Sequence, residues 1–187
     1  MSTLALHQRL QFDLAHGQVL DQTRRYVLMR ADVLMGMFDA LPSPVRAEAF
    51  AGLARSVALH GGDSVRAYAS QAGSTQARLL QTMQDSAASL GWGVWQFAAL
   101  SSVDGRPSGL QLTVRNSPFA AQSAPSAEPV CAAIGGMLDA LGQALWQTAC
   151  RVQETHCVVQ GQHDDCSFTL QPVDPSRFSS DGLGHLF

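Results

Sequence analysis

Between Leu110 and Arg115 apolar and polar residues alternate without a break: Leu110, Leu112 and Val114 against Gln111, Thr113 and Arg115. Successive side chains on a strand point to opposite faces, so this run offers one face to a core and the other to water. A strand wet on one side belongs to an antiparallel sheet, because parallel sheets are covered on both faces and read as continuous apolar runs. Just upstream Trp95, Phe97 and Ala99 alternate with Val94, Gln96 and Ala98, and Asp104-Gly105 lies between the two runs as a turn. The two runs therefore pair as a hairpin. Whatever covers its dry face must come from the rest of the chain.

That remainder is mostly helical in period. A short helical or irregular start precedes Arg24 to Arg30, which reads as a strand or as the lead-in to a helix. Asp32 to Leu41 carries Val33, Leu34, Met37, Phe38 and Leu41 on one side. Pro42 and Pro44 punctuate it, and Val45 to His60 forms a second helix that Gly61-Gly62 stops. A short segment, Val65 to Ala72, follows. Ser74 serves as N-cap for a helix running to Leu90, with Leu79, Leu80, Met83 and Ala87 as its stripe and Gly91 as its end.

Asn116 to Pro129, rich in Ala, Ser and Pro, reads as a long loop and a candidate lid. Pro129 opens a helix with Cys131, Ile134, Met137, Leu138, Leu141 and Leu145 on its apolar side. Two strands close the order, Cys150 to Val158 and Cys166 to Gln171. The expected fold is α+β, an antiparallel sheet packed against a helical layer. It spans 1–172 as a single domain, as the 187-residue length favours, with 173–187 as a loose tail.

Composition removes several function classes. All twelve cationic side chains are Arg, so no phosphate-loop lysine, Schiff-base lysine or Ser-x-x-Lys nucleophile exists. A net charge of −3 without a dense basic patch argues against direct nucleic-acid binding. No apolar run reaches the ~20 residues that span a bilayer, and Met1 to Asp13 lacks a signal pattern, so a cytoplasmic protein without membrane attachment is expected. In that compartment cysteines serve more often as metal ligands or buried thiols than as disulfides.

The cysteines fall in a pattern, Cys131-x22-Glu154-x2-Cys157-x8-Cys166. Three thiolates and a carboxylate can close a tetrahedral zinc site, and soft sulfur favours Zn²⁺ over Mg²⁺ or Ca²⁺. Cys131 is expected in the first turn of its helix, where the dipole favours the thiolate. Glu154 and Cys157 have opposite parity in a regular strand, so the chain must bulge between them. The negative charge of such a site calls for backbone N–H donors or an Arg nearby, with Arg151 a candidate. Three buried thiols beside a solvated Glu is the other reading of these residues, and His156 or His163 can replace Glu154. Cys150 is spare and reads as a buried thiol.

Pro129-Val130-Cys131 opening a helix, then Glu154-x-x-Cys157, Gly161 and Cys166-x-Phe168, together resemble the small-molecule-binding 4-vinyl reductase domain family. Asn116-Ser117-Pro118-Phe119-Ala120 also resembles that family's segment before the helix. The match runs over Trp92 to Leu170 and more loosely over the helices upstream. It implies a bacterial protein with a fold similar to vesicle-tethering complex subunits, a homodimer, and, as in some members of the family, zinc held by Cys131, Glu154, Cys157 and Cys166. It also implies a sensor-type domain for a hydrophobic or aromatic ligand, like the sensor domains of phenol-responsive activators. No segment resembles an ATPase or a DNA-binding domain, so the expected output passes through a partner protein.

Trp95, Phe97, Leu110, Leu112 and Phe119 are the side chains placed in such a pocket, with core packing as the alternative for each. No catalytic residue is assigned: no nucleophile elbow, Ser/His/Asp set or dinucleotide fingerprint is present. The readings left beside the sensor are an enzyme or accessory factor of tetrapyrrole vinyl reduction, and a structural dimeric scaffold.

Overall fold

The computed structural model describes residues 6–71, 73–103 and 106–173, with the backbone alone for 103, 106 and 107. The Asp104-Gly105 turn, Ala72 at the end of the expected 65–72 segment, and the tail from 174 onward lie outside the described residues.

A single helical turn, α1 (Leu6–Arg9), leads into three short strands, β1 (Gln11–Asp13), β2 (Gln18–Asp21) and β3 (Arg24–Tyr26). They form an antiparallel sheet of their own in that order, where the sequence pattern had marked only the third. Strands of three or four residues are too short to show a period. Their reversals do the work, with Gly17 (φ +62°) and Gln22 (φ +58°) in the left-handed region.

Helices α2 (Ala31–Asp39) and α3 (Ser43–Ser56) follow, the second with Pro44 in its first turn. The face that α2 buries is Met35 and Phe38; Val33 and Met37 of the expected stripe are exposed. Gly61-Gly62 does not stop the helical path. α3 passes through a π-turn (Val57–Gly61) into α4 (Gly62–Ala69). The two glycines are there for close approach: a Cβ at Gly62 would lie 3.0 Å from that of Ala140, and one at Gly61 3.0 Å from the Met137 methyl.

Helix α5 (Gln76–Ser89) is capped one residue later than expected, by Thr75, whose side chain accepts the Arg78 N–H at 3.2 Å. Leu79, Met83 and Ala87 are its buried stripe. Gly91 ends it at φ +74°, as the N–H groups of Gly91 and Trp92 return to the carbonyls of Ala88 and Ala87.

The main sheet begins with β4 (Val94–Val103) and β5 (Arg106–Arg115), paired antiparallel with Trp95 opposite Val114 and Phe97 opposite Leu112. The expected 116–129 loop contains a short helix, α6 (Pro118–Ala121), and is packed down: Ser117 and Phe119 are buried, and Ala124 N–H donates to Asp39. Then come α7 (Ala132–Trp146), β6 (Cys150–His156), a 3-10 turn (Val158–Gln160) and β7 (Cys166–Pro172). The strand order is β4-β5-β7-β6, antiparallel throughout.

Opposed pairs share a face, so Trp95, Leu112, Val114, Cys166, Phe168, Val152 and Glu154 all lie on the dry side of this sheet. α7 fills the space against that side, contacting β6 and β7 on one flank and α3, the π-turn and α4 on the other. Its fully buried Ile134, Leu138 and Leu141 are the centre of the core. Two glycines set its distance from both layers. A Cβ at Gly136 would meet the Ala54 carbonyl oxygen at 2.2 Å, and one at Gly142 the Cys150 sulfur at 2.6 Å.

Candidate functional site

The four residues of the cysteine pattern converge where α7 begins and the β6–β7 connection ends. Their ligand atoms all lie within 4.8 Å of one another. Local structure explains how. Glu154 pairs with Phe168 and His156 with Ser167, which leaves Thr155 as an extra residue in β6, the bulge that parity required. The Thr155 hydroxyl donates to the Ser167 carbonyl at 3.2 Å and holds the bulge. Beyond it Cys157 turns to the same side as Glu154, and the 3-10 turn is closed by Gly161 at φ +74°. Cys157 N–H donates to the Gln160 side-chain oxygen at 2.9 Å, while Gln160 donates to the Ala127 carbonyl at 3.0 Å.

Cys131 stands at the N-cap of α7, one position before the first turn in which it was expected. It and Cys157 and Cys166 are fully buried and none is in a disulfide. The three sulfurs form a near-equilateral triangle with edges of 3.6, 3.7 and 3.8 Å. A tetrahedral ion bonded to sulfur at about 2.3 Å sets its sulfurs about 3.8 Å apart, so the triangle has the size of one face of such a site. Glu154 covers it from β6. Its Oε2 accepts the Cys131 N–H at 3.1 Å, whereas Oε1 is buried with no partner. A buried carboxylate oxygen without a partner, beside three sulfurs, is a group that a cation could satisfy. The donor set and spacing fit a soft divalent metal.

Without a cation these groups oppose one another. Burial, then the neighbouring Cys157, push the Glu154 carboxyl up to about 8. Sharing protons with Cys157 and Cys166 pushes the Cys131 thiol upward, and the same contacts lower Cys166. A metal ion held by these four groups would remove the conflict by accepting them as anions.

Arg151 is not the compensating charge. It alternates out of phase with Val152 and Glu154 and is exposed on the other face of β6. Compensation comes from short-range donors: Cys131 N–H to Glu154, Val158 N–H to the Cys166 sulfur at 3.5 Å, and a 3.3 Å contact of the Ser117 hydroxyl with the Cys131 sulfur. Ser117 was missed as part of this site. The signal was present, because Ser before Pro is a helix N-cap pattern, and as cap of α6 it is fixed against Cys131. His156 and His163 meet edge to face, centroids 4.1 Å apart, and neither belongs to the cluster. Cys150 is half-buried under Gly142, its thiol pushed up to about 11 by burial.

The five side chains placed in a pocket lie elsewhere. Trp95, Leu110, Leu112 and Phe119 are buried in the core, and Phe97 packs edge-on against Trp95 at 6.1 Å. None lines the cavities that follow. One cavity, of about 290 Å³, lies among the π-turn, α4 and α5, walled by Val57, Val65, Met83, Leu90, Trp92 and Met137. Leu6 and Tyr26 close it from the N-terminal segment, and His60, Ser64, Tyr68 and Ser86 bring polar atoms to it. A second, of about 300 Å³, adjoins the cysteine cluster between α3, α7 and β6 and is lined by Arg55, Gly135, Asp139, Val152 and Glu154 among others.

No protein-family model and no curated protein matches the chain in sequence. Solved structures do match in fold. The phenol-responsive sensory domain of the transcription activator PoxR, determined with phenol, superposes with a TM-score of 0.71 at 19% identity, over 95% of this chain and 90% of that one. A vinyl-4-reductase family protein from Methanocaldococcus jannaschii covers 77% of this chain and 91% of its own at 16% identity, with a TM-score of 0.47. The fold is thus the α+β arrangement of the PoxR sensory domain, in line with the resemblance read from the C-terminal motifs.

Proposed function

We propose that the chain is a sensor-type domain that binds a small hydrophobic or aromatic molecule in the cavity among the π-turn, α4 and α5. Its fold would be held by zinc at Cys131, Glu154, Cys157 and Cys166. The observation that carries the reading is this cavity, apolar in its walls with a few hydroxyls, within the fold of a phenol-responsive domain. Zinc with four protein ligands keeps no position for water, so its part is structural: it ties the start of α7 to the β6–β7 connection. The cavity volume suits one aromatic ring and not a tetrapyrrole, which weighs against vinyl reduction.

The reading includes a homodimer. Val27, Leu28, Met29, Val33 and Met37 are each more than half exposed and lie together in sequence around the start of α2. Small cavities and an apolar outer face are both expected of a domain that reports binding through a protein contact.

A thermal-shift series with small aromatic hydrocarbons and phenols tests the cavity. At about 100 times its dissociation constant a ligand stabilises the fold by roughly 2.7 kcal/mol, a shift of roughly 5–10 °C for a domain of this size. Ser86→Phe, which fills the cavity from α5, should abolish the shift and leave the zinc content unchanged. Equal shifts in wild type and Ser86→Phe would place the ligand elsewhere.

A further inference from the structure

Behind Tyr68, at one end of the cavity, stands a buried ion pair. Asp21 of β2 and Arg9 of α1 meet twice, Nε to Oδ1 at 3.2 Å and Nη2 to Oδ2 at 2.9 Å, and their side chains are only 4% and 15% exposed. The Asp21 contact holds the Arg9 guanidinium well above its ordinary range, so it stays a cation. From this fixed position Nη2 also donates to the Tyr68 hydroxyl oxygen at 3.2 Å. Tyr68 is on α4 and lines the cavity.

A phenolic hydroxyl has one proton to give and an oxygen that accepts. Arg9 takes the accepting side of Tyr68, so the proton must be donated away from the guanidinium. The cation polarises that O–H and makes it a stronger donor, because charge-assisted contacts reinforce their neighbours. Tyr26, on the same wall, has its hydroxyl proton held more tightly by burial and by the Asp21 charge, which together outweigh the opposing pull of Arg24 and Arg9.

The net charge at this end is balanced. Asp21 already neutralises Arg9, and the remaining lining is Val, Leu, Met and Trp with the neutral hydroxyls of Ser56, Ser64 and Ser86 and the ring of His60. An anion entering here would lose its hydration and gain no unpaired cation. A neutral molecule with an oxygen acceptor would satisfy the Tyr68 proton, whereas a pure hydrocarbon would leave it buried and unmet.

We infer that Tyr68, directed by the Arg9–Asp21 pair, is the specificity-determining residue of the cavity, and that it selects a neutral molecule of about one ring that carries a hydrogen-bond acceptor. The inference rests on the cavity reading given above, and it gives the N-terminal segment a part in ligand choice, since Leu6 and Tyr26 line the cavity and Arg9 and Asp21 stand behind Tyr68.

Three near-isosteric probes test it by calorimetric titration of the full chain: acetophenone, ethylbenzene and benzoate. Acetophenone should bind about tenfold more tightly than ethylbenzene, the worth of one good hydrogen bond, and benzoate should show no saturable binding. In Tyr68→Phe acetophenone should fall to the ethylbenzene level, with ethylbenzene itself changed less than about twofold. Tyr26→Phe should keep most of the preference. Equal affinity of acetophenone and ethylbenzene in the wild type, a preference that survives Tyr68→Phe, or benzoate as the tightest probe would each overturn the inference. The wild-type series stands by itself if Tyr68→Phe fails to fold. Ethylbenzene bound without discrimination removes the role of Tyr68 and leaves the cavity reading in place; no binding of any probe removes both.

Discussion

The two oxygens of Glu154 have different surroundings, one accepting the Cys131 N–H and the other buried beside sulfur with nothing to accept from. A zinc ion is expected to occupy that gap, at about one per chain in protein purified without chelator, and Cys157→Ala should abolish it. Structural zinc is worth on the order of 10 kcal/mol in small sites, so this variant should lose several kcal/mol of stability in urea titrations. Glu154 also gives a pH signature. In the metal-free fold its carboxyl ionises at about 8, raised from the ordinary 4.5. A raised folded value means that the stabilisation from the protonated form is complete below 4.5 and is lost as the pH rises through 8. Chelated protein should therefore lose stability over this window, and Glu154→Gln should remove that slope. Zinc-loaded protein should show the opposite trend, because protons compete with the metal at low pH. Parallel denaturation curves with and without chelator would contradict both statements.

Among elements, α7 is the one whose position decides the rest, and its glycines separate propensity from packing. Gly135 has open space where a Cβ would go, while the neighbouring Gly136 would drive a Cβ into the Ala54 carbonyl at 2.2 Å. Gly135→Ala should be neutral or stabilising by up to about 1 kcal/mol, the usual helix gain. Gly136→Ala should cost roughly 1–3 kcal/mol as α3 is pushed away. Gly93 presents a stricter case. Its φ is +95° and a Cβ would lie 2.5 Å from the Arg115 carbonyl, so Gly93→Ala strains the backbone and splits the start of the β4–β5 pair. Urea midpoints for the three variants should rank Gly135→Ala first. If Gly136→Ala matches it, α3 does not approach α7 as closely as described.

At the scale of the molecule, α2 has two apolar faces, and the expected stripe is split between them: Phe38 is on the buried one, beside Met35, which the stripe did not include. Met35 and Phe38 enter the core, with Phe38 stacked on Phe50 at 4.4 Å, whereas Val33 and Met37 are exposed, as are Val27, Leu28 and Met29 just before them in sequence. An outward apolar face of this kind is the natural seat of a two-fold contact. Light scattering should give twice the 19.9 kDa chain mass at micromolar concentration. Met37→Glu should return it to the monomer with the fold intact, since the side chain is solvent-exposed in the single chain and surface changes usually move stability by less than about 0.5 kcal/mol. A wild-type monomer, or a dimer indifferent to Met37→Glu, would exclude this face.

What the sequence determined by itself was whatever depends on near neighbours along the chain. Alternation at Leu110–Arg115 was enough for an antiparallel sheet with one dry face. The parity of Glu154 and Cys157 was enough to require a bulge, and the structure has it at Thr155. Strand period, capping and turn chemistry act over a few residues, so they are written locally. Tertiary structure decided the remainder. Gly61-Gly62 has the residues of a helix stop, yet the chain continues because those positions lie against Ala140 and Met137, nearly eighty residues away. Trp95, Leu110 and Phe119 have the chemistry of pocket residues and are core, while Leu6, Tyr26 and Tyr68, which no pattern marked, wall the cavity. A cavity is the volume left over when elements distant in sequence fail to fill the space between them. That remainder belongs to no single residue, and only the packed chain contains it.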